Sequence, residues 1–102
     1  MVLNKGVRGL SAGLGKRGRF EIIASIVEIC RDRPTQKTRI MYRCNLSFEQ
    51  LRKYLDYLTK AGFLKAVSEN GKEYYQATEK GREFLAAFRR LQGLAGSKSN
   101  IP

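Results

Sequence analysis

The 102-residue chain contains no histidine and no tryptophan, two cysteines, two prolines and only nine acidic residues. The missing histidine removes the commonest general base and the commonest metal ligand. Cys30 and Cys44 stand far apart with no C-x-x-C pair, a pattern that indicates neither a zinc site nor a redox couple. No glycine loop of the kind that cradles phosphates is present, because the amino-terminal glycines lack both the spacing and a preceding strand. No apolar run approaches the length that spans a bilayer. These absences argue against an enzyme, a metal site, a bound cofactor, a small-molecule pocket and a membrane partner. The basic amino terminus is broken up by Gly6, Gly9, Gly13 and Gly15 with no secretory core behind them, so it does not read as a signal peptide. The expectation is a cytoplasmic protein whose two cysteines are small, reduced core residues.

What the chain does have is positive charge. Twenty Lys and Arg give a formal net charge of +11, which calls for a polyanionic partner, since each neutralised phosphate releases a condensed counterion. The charge is clustered. Lys5, Arg8, Lys16, Arg17 and Arg19 precede the first acid, Glu21, and Arg31, Arg33, Lys37, Arg39 and Arg43 crowd a second stretch whose sole acid is Asp32. The two clusters flank one predicted helix.

At this length a single small domain is expected, with a modest core. Five of the ten glycines lie in the first eighteen residues. Residues 1–17 therefore read as a flexible basic arm, 18–92 as the folded domain, and the glycine- and serine-rich 93–102 as a flexible tail.

Between Arg19 and Arg31, the residues Phe20, Ile23, Ile26, Val27 and Cys30 recur at helical spacing, with Ile22 and Ile29 widening the apolar face. Pro34 closes the connection, and Thr35 is placed to cap a second helix that turns Ile40, Met41 and Cys44 inward. After a short turn at Asn45 and Leu46, Ser47 and Gln50 form an S-x-x-Q capping box at the start of a third helix. Phe48, Leu51, Tyr54, Leu55 and Leu58 share one sector of that helix and are expected in the core. The opposite arc carries Glu49, Lys53, Asp56 and Lys60, with Gln50 and Tyr57 on one shoulder and Arg52 on the other. Gly62 ends the helix.

Asn70-Gly71 between two short segments is a hairpin signal, because both residues tolerate positive φ. Thr78 then caps a last helix with Phe84, Leu85, Phe88 and Leu91 in one stripe, its first turn weakened slightly by Gly81. The expected fold class is α+β, mainly α: three helices, a β-hairpin and a closing helix, in the order of a winged helix-turn-helix.

The run "KTRIMYRCNLSFEQLRKYLDYLTKAGFL" followed by "YQATEKGREFL" resembles the small archaeal winged-helix DNA-binding proteins described as predicted transcriptional regulators. That family includes a small, basic, dimeric chromatin protein of thermophilic archaea, and the resemblance covers Lys16 to Leu91. It implies a nucleoid-associated protein that binds double-stranded DNA with its third helix in the major groove and the preceding helix across the backbone. By that analogy Ser47, Gln50, Arg52, Lys53 and Tyr57 face base edges or nearby phosphates, with Gln50 suited to a bidentate contact to adenine. Lys37, Arg39 and Arg43 would hold phosphates, Lys72 at the hairpin tip would reach a flanking groove, and Lys16, Arg17 and Arg19 would extend the contact along the arm.

Plainer roles stand beside these. Gln50 is equally explained as the capping partner, Tyr57 as a cover for the core edge, and Lys53 and Lys60 as partners of Glu49 and Asp56 along the helix. Phe84, Phe88 and Leu91 either complete the core or meet a second copy. In the relatives a long final helix forms an antiparallel coiled coil between two chains, and a homodimer is expected here. The sequence departs from that pattern in Gly93 and Gly96, which are expected to stop the helix early. Between a transcriptional regulator, a sequence-tolerant chromatin protein and a protein- or RNA-interaction module, the paired basic clusters favour a DNA-binding protein.

Overall fold

The computed structural model describes residues 18–96. Its elements run α1 (Arg19–Ile29), β1 (Thr35–Gln36), α2 (Lys37–Cys44), α3 (Phe48–Ala61), β2 (Leu64–Glu69), β3 (Lys72–Ala77) and α4 (Glu79–Gly96). The three strands form one antiparallel sheet in the order β1-β3-β2. Lys16, Arg17 and the rest of the expected arm lie outside the described residues, as does the tail beyond Gly96.

The core gathers the periodic residues of the sequence. Ile23, Ile26 and Val27 of α1, with Cys30 just past its end, meet Ile40 and Cys44 of α2, Leu51, Leu55 and Leu58 of α3, and Leu85 of α4, with Leu46, Leu64 and Ala77 filling between them. Phe84 completes this core as the centre of an aromatic row, its ring centroid 5.1 Å from Phe63, 6.0 Å from Phe88 and 6.4 Å from Phe20.

The expected turn and cap chemistry is present after α3, in the hairpin and at the start of α4, but not at the start of α2. Gly62 closes α3 at φ 86°. Asn70 and Gly71, at φ 53° and 76°, make the two-residue turn between Glu69 and Lys72. Thr78 accepts the Gly81 N–H at 3.0 Å and so caps α4. Thr35 does not cap α2: it is a buried strand residue paired with Tyr75, and its hydroxyl donates to the carbonyls of Ile29 and Arg33. The residues ahead of a helix are extended, and here the open edge of β3 draws them into the sheet, leaving Gln36 to precede α2 without a side-chain cap.

Two further expectations are corrected. Gly93 does not stop α4, which continues to Gly96. Glycine inside a helix costs about 1 kcal/mol relative to alanine, and this weakens a helix without ending it. Phe48 is not a core residue but 58% exposed. It is the first residue of α3, with no earlier helical turn beside it, and the helical period puts it at the margin of the sector that Leu51, Leu55 and Leu58 occupy.

Candidate nucleic-acid interface

The helix α3 is held rigidly from below and at both ends. Its buried side is anchored by Leu51, Leu55 and Leu58. At its start the Ser47 hydroxyl accepts the Gln50 N–H at 3.1 Å while the Gln50 side-chain oxygen accepts the Ser47 N–H at 3.0 Å. At its end Lys80 donates to the Ala61 carbonyl at 2.9 Å, with its ammonium 5.4 Å from the Phe63 ring centroid. A helix fixed in this way can present side chains without first ordering its own backbone.

The outward arc of α3 exposes Glu49, Gln50, Arg52, Lys53, Asp56, Tyr57 and Lys60. Lys60 is paired with Asp56 at 3.3 Å. Arg52 and Lys53 have no ion-pair partner among the described residues, so their charge faces solvent.

On one flank, Arg19, Phe20 and Ile23 of α1 line a hollow with Lys53, Tyr54 and Tyr57. This places Arg19 and Lys53 around the same hollow, with Tyr57 54% exposed beside them. On the other flank, Lys37, Phe48, Arg52, Asp56 and Tyr75 line a second hollow, with the Lys37 ammonium 5.8 Å from the Phe48 ring centroid. Lys72 stands exposed at the start of β3, paired in register with Glu69 beside the hairpin turn.

The structure thus gathers Arg19, Lys37, Ser47, Gln50, Arg52, Lys53 and Tyr57 around one helix. Arg39 and Arg43 are not among them. They line a different cleft, with Glu28, Asp32 and Arg33 from the end of α1 and the connection after it. Sequence reasoning also missed the exposed rings of Phe48 and Tyr42, the latter 86% exposed. The signal for Tyr42 was available: it falls on the side of α2 opposite Ile40 and Cys44.

Neither cysteine belongs to this surface. Burial pushes the Cys30 thiol up to about 12, the neighbouring Cys44 adds to the rise, and the Thr35 hydroxyl opposes it. A thiol so protonated is a packing group, not a nucleophile. Among the described residues no cluster of Cys, Asp and Glu could hold a metal ion, and no helix is long and apolar enough to cross a membrane.

A helix-turn-helix pair followed by a β-hairpin and a closing helix defines a winged-helix protein. A family model described as winged helix-turn-helix matches residues 16–96, and the chain belongs to that family. It is 36% identical over 83 residues to an uncharacterized protein of Methanocaldococcus jannaschii, a match covering 81% of each chain. Its structure is similar to that of Sso10a-2, a DNA-binding protein from Sulfolobus solfataricus, with a TM-score of 0.69 and 31% identity over 76% of this chain and 81% of that one. The transcriptional regulator BldR of the same organism shares the fold at a TM-score of 0.64 and 17% identity, over 79% of this chain and 64% of its own.

Proposed function

We propose that this protein binds double-stranded DNA, with α3 in the major groove, as a transcriptional regulator. The observation that carries the reading is the assembly of Arg19, Lys37, Arg52 and Lys53 around the exposed arc of a capped, rigid helix. The likeness to a DNA-binding protein at 31% identity supports it. In this reading Lys53 and Arg52 grip phosphates or guanine edges, Ser47, Gln50 and Tyr57 lie nearest the bases, and Lys37 and Arg19 hold the flanking backbone. Lys72 approaches the neighbouring groove from the hairpin. Lys16 and Arg17 extend the contact from the arm, and the protein is nucleoid-associated.

Two copies join through α4. Beyond Phe84 and Phe88, which are half-buried against the chain's own core, Leu91 and Leu94 continue the stripe at 65% and 81% exposure. A helix carrying such a stripe past the domain it caps is suited to pairing with a second copy.

A sequence-tolerant architectural role is the second reading, favoured by one observation. The Gln50 oxygen is already committed to the Ser47 N–H, which leaves less of that side chain for adenine. Selection of bound duplexes from a random pool at near-physiological salt separates the readings. An enriched palindrome supports a dimeric regulator, and retention without enrichment supports the architectural role. No retention excludes DNA binding and turns attention to RNA or a protein partner.

A further inference from the structure

The flank of α2 turned away from α3 carries a concentration of arginine that the recognition helix does not use. Arg33, Arg39 and Arg43 line one cleft of about 590 Å³ with Glu28, Asp32, Gln36 and Tyr74. Arg43 also borders the adjoining hollow between α1 and α4, where Arg89 lies.

The acids in this region are already engaged. Glu28 holds Arg89 across the two helices and lies 4.0 Å from Arg31, and Asp32 accepts from Arg31 at 3.3 Å. Arg33, Arg39 and Arg43 are left exposed and without an ion-pair partner among the described residues. At roughly 100° per residue, Arg39 and Arg43 project about 160° and 120° around α2 from Lys37, which lies against α3. A duplex seated on α3 therefore has α2 between itself and Arg39 and Arg43, and Arg33, on the connection before α2, shares their cleft.

We propose that Arg33, Arg39 and Arg43 form a second phosphate-binding face, so that one chain joins two DNA segments: one gripped by α3, the other held by its backbone alone. The inference rests on the DNA-binding reading and extends it. Charge complementarity selects the occupant. The two carboxylates of this concave cleft, Glu28 and Asp32, are taken up by Arg31 and Arg89, so its three exposed guanidiniums leave it net positive, and their planar forks match phosphate oxygens better than lysine would. Contacts of this kind carry no sequence information, so the second segment is any duplex.

The test uses the full-length protein, one immobilised duplex and a second, fluorescent duplex of unrelated sequence. The Arg39→Ala/Arg43→Ala variant removes two exposed side chains, and its thermal unfolding is compared with wild type to verify the fold. Wild type is expected to retain the fluorescent duplex. The variant should bind a single short duplex with an affinity within about twofold of wild type and an unchanged salt slope, where each lost phosphate contact would lower the slope by about 0.9. It should capture at least fivefold less of the second duplex.

Three results overturn the proposal while leaving DNA binding intact. One is a wild type that binds DNA but never joins two duplexes, as expected if the cleft holds an acidic protein. Another is a variant that joins them as well as wild type, as expected if bridging comes only from pairing of two copies. The third is a variant whose affinity for the single duplex falls tenfold with a shallower slope, which puts the arginines on the first duplex. A wild type that binds no duplex at all removes the underlying reading as well.

Discussion

The side chains of Ser47 and Gln50 hold each other's backbone N–H groups, at 3.1 and 3.0 Å, in the turn where α3 begins. The same glutamine lies on the surface assigned to DNA, so its two roles must be separated by a substitution that preserves one of them. Gln50→Glu keeps an acceptor for the Ser47 N–H and adds a negative charge to the first turn, which the helix dipole favours. Thermal unfolding of this variant is expected within about 0.5 kcal/mol of wild type. Its duplex affinity, measured by fluorescence anisotropy, is expected to fall at least tenfold, because the proposed docking sets the carboxylate against phosphates. Ser47→Ala is the converse: it removes the cap and costs about 1 kcal/mol of stability. A Gln50→Glu variant with full affinity would show that Gln50 is a cap alone.

Phe48 and Leu51 are both large apolar residues of α3, yet one is 58% exposed and the other 1%. Leu51→Ala should destabilise by about 2–5 kcal/mol, since it opens a cavity in the centre of the core. Phe48→Ala should cost less than about 1 kcal/mol. If the phenyl ring meets thymine methyl groups in the major groove, that small change in stability will accompany a measurable loss of DNA affinity. Denaturant unfolding of the two variants gives the comparison, and equal losses would restore Phe48 to the core.

These two residues also show where the sequence was legible. The 3.6-residue period correctly placed Leu51, Leu55 and Leu58 inward, because each has a helical turn on both sides and the core beneath it. The same period could not place Phe48, since burial at a helix end depends on whatever neighbouring element arrives there. Local chemistry was read well: the Ser47–Gln50 box, the Asn70-Gly71 turn and the Thr78 cap need only residues close in sequence. Thr35 failed as a cap because its strand partner, Tyr75, lies forty residues away. For the same reason the site was only partly readable. Lys37, Arg39 and Arg43 form one basic run in the sequence, but the turning of α2 delivers Lys37 to α3 and the two arginines to the opposite flank.

Gly81 reverses the usual expectation for a glycine inside a helix. By propensity alone, Gly81→Ala would stabilise α4 by about 1 kcal/mol. A Cβ at this position would lie 2.2 Å from the Phe63 carbonyl oxygen, which already accepts the Thr78 N–H at 3.0 Å. The obstacle is backbone on a segment tied to α4, so it cannot swing aside as a side-chain end would. Gly81→Ala is therefore expected to destabilise by about 1–3 kcal/mol, with a lowered Tm. A rise in Tm would mean that the chain after Gly62 yields easily and that the close approach is not structural.

The buried Cys30 thiol gives the fold a weakness toward high pH. Its pKa is pushed up to about 12 in the folded chain, first by burial and then by Cys44, against an ordinary value of 9.0. Below pH 9 the thiol is protonated in both states and its contribution to stability is complete. Between pH 9 and 12 the unfolded chain loses this proton while the folded chain keeps it, so the unfolded state binds fewer protons and stability falls. The slope approaches about 1.4 kcal/mol per pH unit for a single group. Tyr75, raised by burial and by the Glu73 carboxylate it donates to at 3.3 Å, acts in the same direction. Denaturant unfolding at steps from pH 8 to 11 should show the decline in wild type, and a shallower one in Cys30→Ala, whatever that variant's lower starting stability. A thiol reagent should likewise leave Cys30 unmodified in the folded protein at pH 8. Parallel pH curves for the two proteins would show that the thiol titrates no differently folded than unfolded.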